Sequence, residues 1–488
     1  QVYDQMTDRF EFIGFDACLM STLETANVLT PYARYMYASQ EMEPGSGWDY
    51  TSLLNNLAAN PDQDGAQLGE KVCREYYDHC ADYGFGSQRS ATFSIIDLSK
   101  IDDVLISMNE AFRVVYEQGD LGDVTRAVLE ADSFGGNSVS EGYSNMLDLG
   151  NMLDQLSGYG QEVRDALQTL QSCVLYTMNG RLHKNASGLS VYYPVSIQGS
   201  EELKIFSQIC PSNYYYALID KIAYGAENGS AADYDNSTLL SDMADINEWL
   251  GEESGFTGDV STNAGEFADI EIGQMGVSDI YFDEDGIYTV SFDNMDELAY
   301  ACCSVGMDDD ADGFFYLGTT EEVIYDIDRN CVTDNFDGSW PCNLLALELV
   351  NTTDSCSIYT CNVLLNDEVE TNLRIEYDWE YDEWSVIGIW DGIDEETGMA
   401  SREVYELQEG DVITPAYYWF SVDDDEDWYY GDDIVVDGDL EITYEYLPEG
   451  VYYYCFELHD IYGNVYYTPF TLQYVDEDGE VWVDGEFY

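Results

Sequence analysis

Two periodicities divide this chain. Up to about residue 225, short apolar runs alternate with stretches whose apolar positions recur every three or four residues. The run Phe10-Glu11-Phe12-Ile13-Gly14-Phe15 is rich in aromatic and β-branched residues and predicts a core strand. Asp16, Ala17 and Cys18 follow, then Leu19, Leu23, Ala26 and Leu29 on one face of a helix. Further strands are predicted at Tyr35–Ser39, Ala91–Asp97 and Ser190–Tyr193, the last stopped by Pro194. Helical patterns cover Tyr50–Ala59, Gly65–Cys80, several stretches over 100–180, and Leu203–Ala223. Strands alternating with helices predict an α/β sandwich with a largely parallel sheet over 1–225.

Beyond Tyr224 the pattern changes. Residues 226–268 read as a linker with a short helix at Leu239–Leu250. From there strict alternation takes over, as in Asp279–Phe292 and Gly450–Leu458, with frequent Gly, Asp and Asn turns. This predicts all-β sandwich modules, divided here into 269–400 and 401–488.

Charge sharpens that division. The 488 residues carry 98 Asp+Glu against 16 Lys+Arg, a formal net charge of −82. Residues 1–225 hold 13 of the basic and 31 of the acidic residues, while 226–488 hold Arg329, Arg374 and Arg402 against 67 acids. So acidic a surface repels nucleic acid and anionic membranes, and attracts cations. With 42 Tyr and 45% hydrophobic residues the chain nevertheless has the material for folded cores. No run approaches the roughly 20 apolar residues of a membrane-spanning helix.

The candidate chemistry centres on Cys18. A thiol where a core strand ends and a helix begins lies among unpaired backbone N–H groups, which favour the thiolate. The alternative is a small buried apolar residue, a common fate of free cysteine. The 12 cysteines include no Cys-x-x-Cys pair and no zinc-type alternation with histidine, which argues against a structural zinc site. The seven from Cys302 onward leave disulfide pairing open. Asp308-Asp309-Asp310-Ala311-Asp312-Gly313 and Asp423-Asp424-Asp425-Glu426-Asp427 invite a calcium reading. The first lacks the twelfth-position glutamate of an EF-hand, and solvated turns are the favoured reading of both. Of the three histidines, His79 falls in a helix, His183 in a turn and His459 in a strand.

The segments IGFDACLMSTLE, ASQEMEPGSGWDY, ATFSIIDLSKI, YSNMLDLG and ASGLSVYYP, in this order, resemble the clostripain family of cysteine peptidases, relatives of caspases and legumains. The resemblance implies a caspase-like three-layer α/β sandwich lacking its N-terminal part, with Cys18 as nucleophile. It places Asp16 and Ser46 at the pocket for the residue before the cut bond. A second acidic residue stands at the Ser46 position in some relatives, a charge that Glu41 or Glu43 could replace. The family's histidine belongs to an Asp-His-Gly-type motif that none of His79, His183 and His459 shares. The resemblance therefore implies a histidine on a missing upstream segment or light chain, separated by processing of a precursor.

Together these readings predict a secreted or cell-surface cysteine endopeptidase of bacterial type, cutting after basic residues, Arg over Lys, by a Cys/His dyad. Its partners would be the light chain and basic protein substrates, with no nucleic acid and no membrane span. No cofactor is required for the chemistry, and Ca2+ is the one ion the resemblance admits. The competing reading is an inactive surface protein that binds through its acidic β modules.

Overall fold

The computed structural model describes residues 8–81, 87–119, 121–138, 142–195, 205–206, 209–210, 212–224, 275–283, 286–309, 313–341, 346–352, 356–393, 401, 404–421, 426–438, 440, 442, 444–460, 465–476 and 481–487. The 226–268 linker and its helix lie outside them. The chain forms two compact units, Gln1–Ile272 with Ile393–Arg402, and Gly273–Gly392 with Glu403–Tyr488.

The first unit is built on a four-stranded sheet. Strand β1 (Phe10–Gly14) leads through helix α1 (Leu23–Leu29) to β2 (Ala33–Ala38), which pairs parallel with β1. Helices α2 (Tyr50–Ala59) and α3 (Gly65–Cys80) then lead to β3 (Thr92–Asp97), antiparallel to β2. Helix α4 (Ile101–Gln118) and, later, α5 (Gln161–Cys173) precede β4 (Val174–Asn179), antiparallel to β3. The expected largely parallel sheet is therefore corrected to a mixed one, with a single parallel pair among its described strands. The reason lies in the connections. The crossover through α1 returns the chain to its starting end and gives a parallel pair, whereas the longer connection through α2 and α3 brings it back at the other end and gives an antiparallel one.

Both faces of this sheet are covered. Alternation along β2 sends Met36 and Ala38 to one side and Tyr37 to the other. The first side packs against α1, α4, α5 and the helix Asn213–Tyr224, through Leu23, Leu105, Met108, Phe112, Leu170 and Tyr215. The second packs against α2 and α3, where Leu68, Val72, Tyr76 and Cys80 form a stripe at four-residue spacing. Asp49 and Asp64 start α2 and α3 by accepting from the N–H groups of Ser52 (3.0 Å) and Gln67 (2.8 Å).

The second unit is all β. Its main sheet contains, in spatial sequence, Glu383–Trp390, Val369–Asp378, β6 (Cys356–Leu365), Val412–Ser421, Gly313–Thr320, β5 (Leu298–Asp308), β7 (Gly450–Asp460) and Thr471–Val475. The sequence division at residue 400 does not follow this packing. Val412–Ser421 pairs with Gly313–Thr320 at one end and with Cys356–Leu365 at the other, and so joins the two stretches. One core gathers Tyr288, Val305, Trp340, Tyr454 and Phe456, and a second gathers Leu347, Cys361, Leu373, Ile375 and Ile413. Eleven described cysteines are free, so no disulfide occurs among them.

Candidate active site

Cys18 lies in the turn after β1. The parallel pairing continues one residue past the strand, with the Phe15 N–H donating to the Tyr37 carbonyl at 2.9 Å. The chain then leaves the sheet at Asp16 and rejoins β2's extension at Ser21, whose N–H donates to the Ser39 carbonyl at 2.8 Å. Within this loop Leu19 adopts φ of 59°, a left-handed conformation that a branched residue seldom takes. Its N–H donates to the Glu41 carbonyl at 3.3 Å and its side chain packs over Gly135.

The helix begins later than the apolar pattern suggests. Thr22 caps it, accepting from the Thr25 N–H at 3.0 Å, and α1 runs from Leu23. Leu19 in a left-handed conformation cannot belong to a right-handed helix. The expectation that Cys18 stands at the helix start is thus corrected, and helix-end N–H groups do not explain its chemistry. What the structure offers instead is a neighbouring loop. The Glu43 N–H donates to the Cys18 sulfur at 3.2 Å, and the thiol faces the Glu43 carbonyl at 3.7 Å. Of the eleven described cysteines, Cys18 is partly exposed and the other ten are buried.

Asp16 belongs to the same loop contact. Its carboxylate accepts from the Trp48 N–H at 3.0 Å and from the Tyr50 hydroxyl at 2.8 Å, so it does not cap α1. The turn closed by Gly47 N–H to the Pro44 carbonyl (2.9 Å) makes this approach feasible. Gly47 has φ of 63°, and a Cβ there would stand 2.5 Å from an Asp16 oxygen. Only glycine meets both conditions without strain. Ser46 is half-buried in this turn, with a buried hydroxyl that has no hydrogen-bond partner.

The two glutamates of the loop take different roles. Glu41 accepts from the Gly135 N–H at 3.1 Å and faces His183 Nε2 at 3.3 Å, turned away into the protein. Glu43 is buried, with the Asp16 carboxylate and the Trp48 indole as its polar neighbours. Burial, then the Asp16 charge, pushes its carboxyl up to about 9. A buried acid set beside a second carboxylate was beyond the reach of sequence reading, since its neighbour Glu41 has the same local pattern.

Behind the loop, a buried polar network holds the end of β2. Gln40 donates to Asp148 at 2.9 Å and accepts from the Gly188 N–H at 2.9 Å. Asp148 also accepts from Ser187 and Asn151 N–H groups at 2.7 and 2.8 Å. A satisfied network of this kind fixes the origin of the 41–48 loop, and with it the groups around Cys18.

Glu43 gives a direct pH prediction. Its carboxyl is raised from 4.5 to about 9, so the folded chain keeps a proton that the unfolded chain releases between those values. Stability is therefore lost as pH climbs through that window, at up to about 1.4 kcal/mol per pH unit. Glu43→Gln, which never ionises, is expected to melt increasingly above the parent as pH rises from about 5 to about 9. Parallel melting curves for the two proteins across that range would contradict the assignment.

The histidines are placed elsewhere. His79 lies in the last turn of α3. His183 is mostly buried, its nitrogens facing Glu41 and, at 3.9 Å, Asp132, with Phe134 against the ring. His459, in the second unit, pairs with Glu457 at 2.7 Å and stacks on Tyr300. Of the acidic clusters, Asp310 to Asp312 and Asp423 to Asp425 lie outside the described residues. Asp309 serves a turn, accepting from the Gly313 N–H at 3.1 Å and the Trp419 indole at 2.9 Å.

Comparison with known proteins gives one match in sequence. The profile of the clostripain family fits residues 2–233. No curated protein matches the chain. Among solved structures, a B. fragilis cysteine protease is 14% identical, covering 42% of this chain and 87% of its own, with a TM-score of 0.31. A clostripain from Bacteroides thetaiotaomicron, in complex with a peptide inhibitor, is 16% identical over 45% and 91% of the two chains, at 0.30. An inactive zymogen protease from Parabacteroides distasonis is 15% identical over 44% and 59%, at 0.33.

Proposed function

We propose, on the match of residues 2–233 to the clostripain family of cysteine peptidases, that this chain is a cysteine peptidase of that type and that Cys18 is the nucleophile of an endopeptidase that cuts after basic residues. The observation that carries the reading is the position of this half-exposed thiol, two residues after a carboxylate that a tight glycine turn holds in place.

The chemistry follows from the groups at hand. The thiolate attacks the substrate carbonyl, and the oxygen gains negative charge that a backbone N–H can stabilise. Among the described residues no hydrogen bond uses the Cys18 N–H, which leaves it available for that oxygen. An imidazole then protonates the leaving amine, and water hydrolyses the thioester to regenerate the thiol. Thiol, imidazole and water suffice, without a cofactor. The imidazole would come from a light chain or upstream segment. The proposal extends, on the family resemblance, to a secreted enzyme. Among the described helices none is long and apolar enough to cross a membrane.

Asp16 would pair with the basic side chain before the cut bond. A guanidinium fork matches a carboxylate with two parallel hydrogen bonds, hence the preference for Arg over Lys. Glu43, buried beside Asp16, supplies a second carboxyl that an arriving cation would help to ionise.

A fluorogenic peptide library varied at the residue before the cut tests this. The expected result is a clear Arg preference. Asp16→Asn should lower kcat/KM for Arg substrates by about 10–100-fold, the worth of a charge-assisted hydrogen bond. Asparagine keeps an acceptor for the Trp48 N–H, so the loss reports charge rather than loop collapse. Preference for apolar or acidic residues would refute the specificity.

A further inference from the structure

The second unit carries a group of side chains that the peptidase reading leaves unused. Strands β5 and β7 are antiparallel neighbours, with Cys302 opposite Glu457 and Tyr300 opposite His459. Residues two apart on a strand share a face, so Cys302, Glu457 and His459 project to the same side of the sheet. That side is opposite the one on which Ala301, Cys303, Phe456 and Leu458 enter the core. The three candidate ligand atoms lie within 4.8 Å of one another, the one such group among the described residues.

Two of the three side chains are held in orientation. The His459 ring stacks on Tyr300, with centroids 4.0 Å apart and planes 14° from parallel. One Glu457 oxygen accepts from the Ser304 hydroxyl at 3.1 Å, and the other pairs with His459 Nε2 at 2.7 Å. Cys302 is 1% exposed, while Glu457 and His459 reach solvent with 14% and 21% of their side-chain surface. A ring fixed by stacking and a carboxylate fixed by a hydroxyl are the kind of support that metal ligands receive from their neighbours. The surroundings are electronegative as well: the charges of Glu321 and Glu457 both act on Cys302, and that of Glu457 on Glu348.

We propose that Cys302, Glu457 and His459 form a binding site for a borderline-soft divalent metal of the Zn2+ type, with solvent as the fourth ligand. One sulfur, one nitrogen and one oxygen suit zinc, whereas calcium and magnesium require all-oxygen shells. Metal–sulfur and metal–nitrogen bonds of about 2.3 and 2.0 Å place tetrahedral ligands roughly 3.3–3.6 Å apart. The ion therefore enters where Glu457 and His459 now lie 2.7 Å apart, with those two parting by about half an ångström and Cys302 closing in. Cys302 gives up its proton on binding. The site would pin two central strands of the sheet across a sequence separation too long for any spacing motif. It is independent of the peptidase chemistry.

Titration of the reduced full chain with Co2+ tests it, because cobalt bound to a thiolate absorbs in the near ultraviolet and shows ligand-field bands. The expected result is one tight equivalent with that absorption, displaced by Zn2+ and not by excess Ca2+. Cys302→Ser should abolish the thiolate absorption, and His459→Gln, at a partly exposed position, should weaken binding at least tenfold. Cys18→Ala should leave the titration unchanged. Circular dichroism of each variant confirms that its sheet is intact, and the His459→Gln result stands even if Cys302→Ser fails to fold. Absence of a stoichiometric site in the parent overturns the proposal. So does absorption that survives Cys302→Ser, that disappears with Cys18→Ala, or an affinity that His459→Gln leaves unaltered.

Discussion

Cys18→Ala is expected to yield a folded protein without measurable peptidase activity. The thiol is the one described cysteine outside the buried set, and it meets the N–H and carbonyl of Glu43. Removing it opens no core cavity, so the melting temperature should change by no more than about 1 kcal/mol implies. The catalytic loss is of another order. Without a nucleophile the covalent route is closed, a change on the order of 10⁶ in kcat for comparable machinery. Cys18→Ser separates geometry from reactivity, since a hydroxyl keeps the shape but lacks a readily formed anion. An electrophilic peptide probe should label the parent once and neither variant. The ten other described cysteines are buried, and burial raises the thiols of Cys73, Cys80, Cys173, Cys210, Cys302, Cys303 and Cys455 far above the physiological range. Labelling that persists in Cys18→Ala would end the assignment.

The local elements around this site were legible because local chemistry specifies them. Tyr50–Ala59 and Gly65–Cys80 each follow an aspartate cap and keep a helical apolar stripe, and the structure has helices over those same residues. Strand Phe10–Gly14 follows its apolar run. Misreadings arose where tertiary contacts decide. Leu19 continues the helical spacing of Leu23 and Ala26, yet its contacts with Glu41 and Gly135 hold it at positive φ, and the helix waits for Thr22. Strand direction was misread although both helices between β2 and β3 were legible, because periodicity does not fix to which end of the sheet a connection returns. Glu41 and Glu43 are indistinguishable in sequence, and only packing turns the first toward His183 and leaves the second beside Asp16. Cys302 and Glu457 show the extreme case. They are distant in sequence yet opposite one another across a strand pair, a juxtaposition that spacing rules, which describe residues on one loop or helix, do not reach.

A histidine supplied from outside the three in this chain is expected to raise the peptidase rate by roughly 10²–10⁴-fold, the usual contribution of positioned acid–base assistance. The argument rests on where those three side chains are committed. His183 is nearest to the loop in chain contacts, but both its nitrogens face carboxylates. Those carboxylates raise its proton affinity, although burial alone would lower it. A base must release its proton to the leaving amine, and a ring whose proton the nearby Glu41 and Asp132 carboxylates help to hold is poorly suited to that exchange. His79 ends a surface helix, and Glu457 engages His459. Single His79→Gln and His459→Gln variants should therefore keep the parent rate, while His183→Gln should lower the melting temperature more than kcat. The 488-residue chain assayed alone, then with a family segment bearing the Asp-His-Gly-type motif, decides the matter. A full rate in the isolated chain, or its loss on replacing His79 or His459, would show that the partner histidine is already present.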